Sequence, residues 1–156
     1  MKTLIYCTLV FLLSFAAYSF AAESGMNPAG EAFVKAFKAN DLDAVVALYA
    51  PDAVLFPPDS MAANGKDAIR QSYAGLMNNF TIQDITITDA HHDTKGDLSF
   101  GWGMFSLTFV PKAGGEPMHM EGRFTDVSKR VNGKWLYILD HASVPLPPPP
   151  QTAPAH

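Results

Sequence analysis

Polar and apolar residues alternate most regularly near the carboxyl end of the chain, in residues 122–143. Two segments rich in β-favouring residues flank Asn132 and Gly133 there. Asn-Gly is a preferred pair for a tight type I′ turn, because both residues tolerate positive φ. The pattern predicts two long antiparallel strands joined at this pair. The hairpin also holds the densest set of reactive side chains, so we expect a functional site here.

Three helices are predicted in the amino-terminal half. Asn27 is a suitable N-cap for a helix that begins with the following proline, and apolar residues then recur at helical spacing. Asp41 is the expected N-cap of a short second helix over residues 42–49. A third helix is predicted over residues 66–78, where the apolar side chains form one stripe.

The other apolar segments predict strands over residues 53–56, 81–90, 98–110 and 118–131. The polar run 91–97 predicts a turn. Apolar residues in 98–110 change parity midway, so we expect a bulge or strong bend near Met104. The order of elements is ααβαββββ, and this segregation of helices from strands indicates an α+β domain with a curved antiparallel sheet.

Both ends of the chain are predicted to lie outside the folded domain. Residues 1–21 combine one lysine, an apolar run too short for a membrane span and a small-x-small pattern, which is typical of a secretory signal peptide. Cys7, the only cysteine, would leave with this segment. Residues 146–156 are proline-rich and predict an extended tail. We therefore expect a periplasmic or secreted protein with one domain over residues 22–145.

The charge of the mature chain limits its partners. Without Lys2, ten basic side chains stand against 15 acidic ones, a net charge of −5 with histidine neutral. These charges are scattered and form no basic stripe, so we expect neither nucleic acid nor a membrane as a partner.

Three sequence runs resemble a known family. They are FVKAFKANDLDAVVALYAPDAVLFPPD, NGKDAIRQSY and GRFTDVSKRVNGKWLYILDHAS. Together they resemble the SnoaL-like branch of the nuclear transport factor 2-like superfamily, and they are similar to the association domain of calcium/calmodulin-dependent protein kinase II. The resemblance spans residues 30–144. It implies a cone of three N-terminal helices packed on a strongly curved antiparallel sheet, a pocket between them, and commonly a homodimer formed through the sheet.

The resemblance also allows a test for steroid isomerisation. In ketosteroid isomerase-like members, the first strand ends with a carboxylate base, and the first helix carries a tyrosine that donates to the oxyanion. Alignment places Pro57 and Phe33 at these two positions. Neither side chain can do that chemistry, which requires a proton acceptor opposed to acidic donors. We therefore do not expect steroid isomerisation.

The remaining polar and aromatic side chains supply the candidate site. The expected ligand-binding residues are Tyr49, Phe56, Trp102, His119 and Arg123, and the expected catalytic residues are His141 and Asp140. Arg123 is suited to bidentate pairing with a ligand carboxylate, although a protein carboxylate is an equal alternative. Asp140 and His141 are adjacent on one strand, so only one of them can face the cavity. His141 shares its parity with Trp135 and Tyr137, and we expect it to be a polar anchor together with Arg123.

Three functions stay open at this point. The first is binding of a small, partly apolar organic ligand in the cone. The second is an isomerase or lyase that uses His141 or Asp140 as general base, with Arg123 stabilising negative charge and with no cofactor or metal. The third is a homo-oligomeric assembly module, which requires an extensive apolar outer face of the sheet. The fold alone does not choose among them.

Overall fold

The computed structural model describes residues 25–145. The predicted signal peptide and the predicted proline-rich tail both lie outside this range and stay predictions. Among the helices of residues 25–145, none has the length and apolar character needed to cross a membrane.

Three helices pack on one face of the sheet, as predicted. Helix α1 spans Pro28–Lys38, and α3 spans Lys66–Asn79. Helix α2 spans Leu42–Ala47 and begins at the predicted cap, where Asp41 accepts a hydrogen bond from the Ala44 backbone N–H at 2.9 Å. The prediction that α2 extends to residue 49 is wrong, because Tyr49 is already the first residue of the next strand.

The sheet has six strands in the order β2-β1-β6-β5-β4-β3. Their bounds are Tyr49–Phe56 for β1, Ala63–Asn64 for β2, Phe80–Lys95 for β3, Leu98–Pro111 for β4, Met118–Val131 for β5 and Lys134–Ser143 for β6. Four of the five pairings are antiparallel, as predicted, whereas β1 runs parallel to β6. The sheet is therefore mixed. Strand β2 is too short to leave a periodic signal in the sequence.

The hairpin between β5 and β6 turns where the sequence indicated. Asn132 has φ 51° and Gly133 has φ 78°, the two positive values that a type I′ turn requires. This turn sets Val131 opposite Lys134 and fixes the start of the pairing of the two strands.

Strand β3 differs from its prediction in two ways. Residues 91–95 belong to the strand and not to a turn, because β4 supplies them with partners as far as Lys95 opposite Leu98. The expected bulge is present in this pair of strands, but it lies on β3 and not on β4. Thr88 lies opposite Met104 and His91 opposite Trp102, so two residues of β3 face one of β4. The bulge bends the sheet around the helices.

Strand β4 keeps one parity throughout. Ser99, Leu107 and Phe109 are buried on the side of the helices, whereas Phe100 and Trp102 are exposed on the opposite side. We call this opposite side the outer face. The change of apolar parity in the sequence therefore reflects a strand that is apolar on both faces.

Candidate functional site

A cavity of about 430 Å³ lies between the helices and the inner face of the sheet. Its walls are mostly apolar and rich in aromatic rings, including Phe33, Phe37, Phe105, Phe109, Phe124 and Tyr137. Asp140, Asp126 and Asn27 are among the few polar groups in the lining. An apolar cavity with a small set of converging polar groups is the usual form of a site for a small organic molecule.

The first polar cluster joins Asp140 to two tyrosines. The hydroxyl of Tyr49, which is fully buried, donates to Asp140 Oδ2 at 2.5 Å. The same hydroxyl lies 2.7 Å from that of Tyr73. Strand β1 brings in Tyr49, α3 brings in Tyr73 and β6 brings in Asp140, so three elements meet at this point. Tyr49 lies behind the cavity wall, whereas Tyr73 and Asp140 line the cavity.

Burial controls the protonation of this cluster. Desolvation raises the pKa of Asp140 to about 6, the nearby carboxylate of Asp126 adds to the rise, and the hydrogen bond from Tyr49 opposes it. Burial also raises the pKa values of Tyr49 and Tyr73 well above their usual value, so both tyrosines keep their protons near neutral pH. Asp140 is therefore a carboxyl group that can accept or release a proton near neutral pH.

Asp126 forms the second polar cluster and is only 6% exposed. Its Oδ1 accepts hydrogen bonds from Asn27 Nδ2 at 3.1 Å and from Ser128 Oγ at 3.3 Å. Desolvation raises its pKa, and the two hydrogen bonds oppose the rise. Asp126 also lies directly opposite Asp140 on the neighbouring strand, so two carboxyl groups face the same cavity side by side.

A bulge in β6 decides which of the two adjacent candidates faces the cavity. Val127 lies opposite Leu139 and Ser128 opposite Tyr137, which leaves Ile138 as an extra residue in β6. The side-chain parity changes there, so Tyr137 faces the cavity before the bulge and Asp140 faces it afterwards. His141 consequently lies on the outer face, where it is exposed. The expectation that His141 shares the inner face with Tyr137 is wrong for this reason.

Four further candidates, Phe56, Trp102, His119 and Arg123, also lie on the outer face. Trp102 and Arg123 are exposed, and Phe56 contacts His141 with ring centroids 6.0 Å apart. His119 is exposed as well, next to Thr108 and Glu121. None of these five side chains is in the lining of the cavity. The structure therefore brings together Phe56, Trp102, Arg123 and His141 on a surface, away from the cavity that contains Asp140.

The sequence reasoning missed Asp126, Asn27 and Tyr73 as site residues. A signal existed for Asp126, because it continues the parity of Met120 and Phe124 along β5, and that parity faces the cavity. The spacing of Tyr73 places it on the predicted apolar stripe of α3 with Ile69, Leu76 and Met77, and this indicates packing in the core, not a polar contact. The sequence predicts Asn27 only as a cap, and its contact with Asp126, 99 positions away, leaves no local pattern.

Asn27 has two tasks, and this predicts the effect of removing it. Its side chain accepts from the Gly30 backbone N–H at 2.9 Å to cap α1 and also donates to Asp126. We expect Asn27→Ala to lower the free energy of unfolding by about 2–3 kcal/mol, of which about 1 comes from the cap and the rest from the lost donor to a buried carboxyl group. Asp41→Ala, which removes only the cap of α2, should cost about 1 kcal/mol. Equal losses in urea unfolding would show that Asn27 does not hold Asp126.

The fold and the cavity together define a nuclear transport factor 2-like protein. Residues 31–138 match the SnoaL-like domain, and the chain belongs to this family. No curated protein matches the chain.

Solved structures agree with this assignment. A ketosteroid isomerase-like protein from Erwinia carotovora atroseptica is 26% identical with a TM-score of 0.67, and the match covers 76% of this chain and 92% of that one. A candidate calcium/calmodulin-dependent protein kinase II association domain from Xanthomonas campestris is 24% identical with a TM-score of 0.60, covering 79% and 84%. A candidate scytalone dehydratase from Novosphingobium aromaticivorans is 13% identical with a TM-score of 0.69, covering 76% and 80%. The predicted family and fold are thereby confirmed.

Proposed function

We propose that the protein binds a small, largely apolar organic molecule in the cavity and transfers a proton on it, with Asp140 as general base. The observation that carries the proposal is the position of Asp140 in the wall of an apolar cavity, with a pKa of about 6. A base whose pKa is close to the working pH is efficient in proton transfer. Tyr73 keeps its proton as well. Because the proton of Tyr49 goes to Asp140, the hydroxyl of Tyr73 donates to Tyr49 and offers a ligand in the same cavity an acceptor oxygen.

The structural relatives support this reaction class. Among the similar proteins are one described as ketosteroid isomerase-like and one as a candidate scytalone dehydratase. In the present chain, Pro57 and Phe33 both line the cavity, and neither can accept or donate a proton. Asp140 is therefore the proposed base in place of a residue at the end of β1.

Proton exchange on a carbon acid tests the proposal. β-Tetralone is an apolar bicyclic ketone with acidic protons next to its carbonyl group, and its exchange in D₂O is followed by NMR. We expect the protein to accelerate this exchange, and Asp140→Asn to lower the rate at least about 100-fold, because an amide is not a base.

His141→Ala tests the alternative base beside Asp140. Since His141 points to the outer face, the rate should stay within about twofold of the parent. A variant Asp140→Asn as active as the parent would exclude Asp140 as the base. If His141→Ala loses exchange while Asp140→Asn keeps it, His141 is the base. If the parent binds β-tetralone without accelerating its exchange, proton transfer is excluded and only the proposed ligand binding remains.

We further propose that two copies of the chain associate through the outer face. Leu98, Phe100, Trp102 and Met104 alternate along β4 and are each 37–45% exposed there. Val127 and Leu139 extend this surface on β5 and β6, because they pair directly with Phe100 and with each other. A contiguous apolar patch of this kind on a sheet is characteristic of a protein interface.

A further inference from the structure

We infer that the ligand carries a positively charged amino group and that Asp126 binds it. The inference rests on the proposed binding of a small molecule in the cavity. It specifies the charge of that molecule and adds a residue for recognition.

The charges that line the cavity favour a cation. Asp126 and Asp140 supply two carboxyl groups, whereas none of the lysines and arginines of residues 25–145 is in the lining. His91 is the only lining residue in this part of the chain that can become positive, but its ring stacks on Trp102 of the outer face with centroids 5.6 Å apart. His92, which lowers the pKa of Asp126 electrostatically, is exposed and is not in the lining. Arg123, the expected partner of a ligand carboxylate, lies on the outer face. An anionic ligand would therefore meet two acidic groups in a poorly solvated space without a permanent counter-charge.

The geometry of Asp126 leaves one oxygen for a ligand. Within residues 25–145, the hydrogen bonds that Asp126 receives from side chains both end on Oδ1. Oδ2 lies beside Gly101, where a Cβ atom would be only 2.3 Å away. A residue without a side chain thus makes room for this oxygen, and both Gly101 and Asp126 line the cavity.

The pairing of the strands places the second carboxyl group close by. Asp126 and Asp140 are directly opposite each other on β5 and β6, and Cβ atoms in such pairs are about 4.5–5.5 Å apart. Like charges in this position repel each other, and the carboxylate of Asp126 adds to the rise that burial causes in the pKa of Asp140. An ammonium group bound to Asp126 would relieve the repulsion, and the aromatic rings of the walls attract cations as well.

Three probes with one ring system test the inference. Naphthylmethylamine, naphthylmethanol and naphthoic acid are cationic, neutral and anionic at pH 7.5, and calorimetry gives their affinities for the unaltered protein. We expect the amine to bind at least about tenfold more tightly than the alcohol, as for a hydrogen bond to a charged group, and the acid to bind most weakly.

The variant Asp126→Asn assigns the preference to one residue. An asparagine can keep its oxygen at the Oδ1 position, so the bonds from Asn27 and Ser128 are preserved while the charge is removed. The amine should then bind no more tightly than the alcohol. Asp93→Asn, which removes an exposed carboxyl group of β3, is the matched control and should leave the tenfold ratio unchanged.

The outcomes separate the two proposals. If the alcohol or the acid binds the unaltered protein as tightly as the amine, the inferred charge is wrong and the cavity remains a binding site. If the amine preference survives in Asp126→Asn, Asp126 is not its receptor. If none of the three probes binds, the proposed binding in the cavity fails together with this inference. The comparison on the unaltered protein needs no variant, so a folding defect in Asp126→Asn would not obscure it.

Discussion

Asp140→Asn is expected to make the folded protein more stable at neutral pH than the parent. Folding raises the pKa of Asp140 from 3.8 to about 6, so the folded state binds this proton more tightly than the unfolded state does. The stabilisation from the proton is fully present below pH 3.8 and is lost as the pH rises through about 6. At neutral pH the ionised carboxyl group therefore costs the folded state about 3 kcal/mol. The amide has no charge and avoids this cost.

The expected signature is a pH-dependent difference between variant and parent. The hydrogen bond from Tyr49, which favours the carboxylate, is already included in this pKa, so the net gain above pH 7 is up to about 3 kcal/mol. Between about pH 4 and pH 8, the free energy of unfolding of the variant should rise relative to the parent by about 2–3 kcal/mol. Urea unfolding at several pH values measures this change. The substitution can also alter the free energy of unfolding by an amount that does not depend on pH, but that amount cancels when different pH values are compared.

Asp93→Asn provides the control for this experiment. Asp93 is an exposed carboxyl group on β3, and its replacement should alter the free energy of unfolding by no more than about 0.5 kcal/mol at any of these pH values. A flat difference between Asp140→Asn and the parent would show that Asp140 is not held in a desolvated position. If Asp140→Asn is more stable than the parent but no longer exchanges protons, the ionised Asp140 destabilises the fold and is nevertheless required for activity.

The sequence predicted the fold well because its signals are local and agree with one another. The caps at Asn27 and Asp41, the Asn132-Gly133 turn and the stripes of the three helices each define an element without reference to the rest of the chain. The parallel pairing of β1 with β6 is different in kind. It joins strands that are far apart in the sequence, and no local pattern carries it.

The candidate site was harder to predict because it depends on strand register. Asp140 faces the cavity only because Ile138 is an extra residue in β6, and a one-residue shift moves every later side chain to the other face. Without that extra residue, strict alternation from Tyr137 predicts that His141 faces the cavity. For β4, the sequence shows apolar residues on both parities, and only the structure distinguishes the face that packs on helices from the face that remains exposed. The position of Asp126 could be predicted from the sequence, since its side chain has the same inward parity as those of Met120 and Phe124.

Trp102→Arg is expected to dissociate the proposed dimer. Trp102 lies on the outer face with 45% of its surface exposed, and its strand neighbours Phe100 and Met104 are exposed on both sides of it. Loss of a tryptophan anchor from an interface typically costs about 2 kcal/mol or more. In a two-fold interface each substitution is present twice, so we expect about 4 kcal/mol, which is roughly a thousandfold in Kd. The two added positive charges would also repel each other.

Sedimentation velocity over a dilution series measures this effect. The parent should sediment as a dimer, whereas Trp102→Arg should sediment as a monomer at micromolar concentration with an unchanged circular dichroism spectrum, because Trp102 contributes little to the core. Met61→Arg is the matched control: it introduces the same charge at an apolar residue that is 90% exposed and lies between β1 and β2, outside the strands β4, β5 and β6 that carry the apolar patch. A monomeric parent, or a Trp102→Arg variant that remains dimeric, would mean that the outer face does not join two copies of this chain.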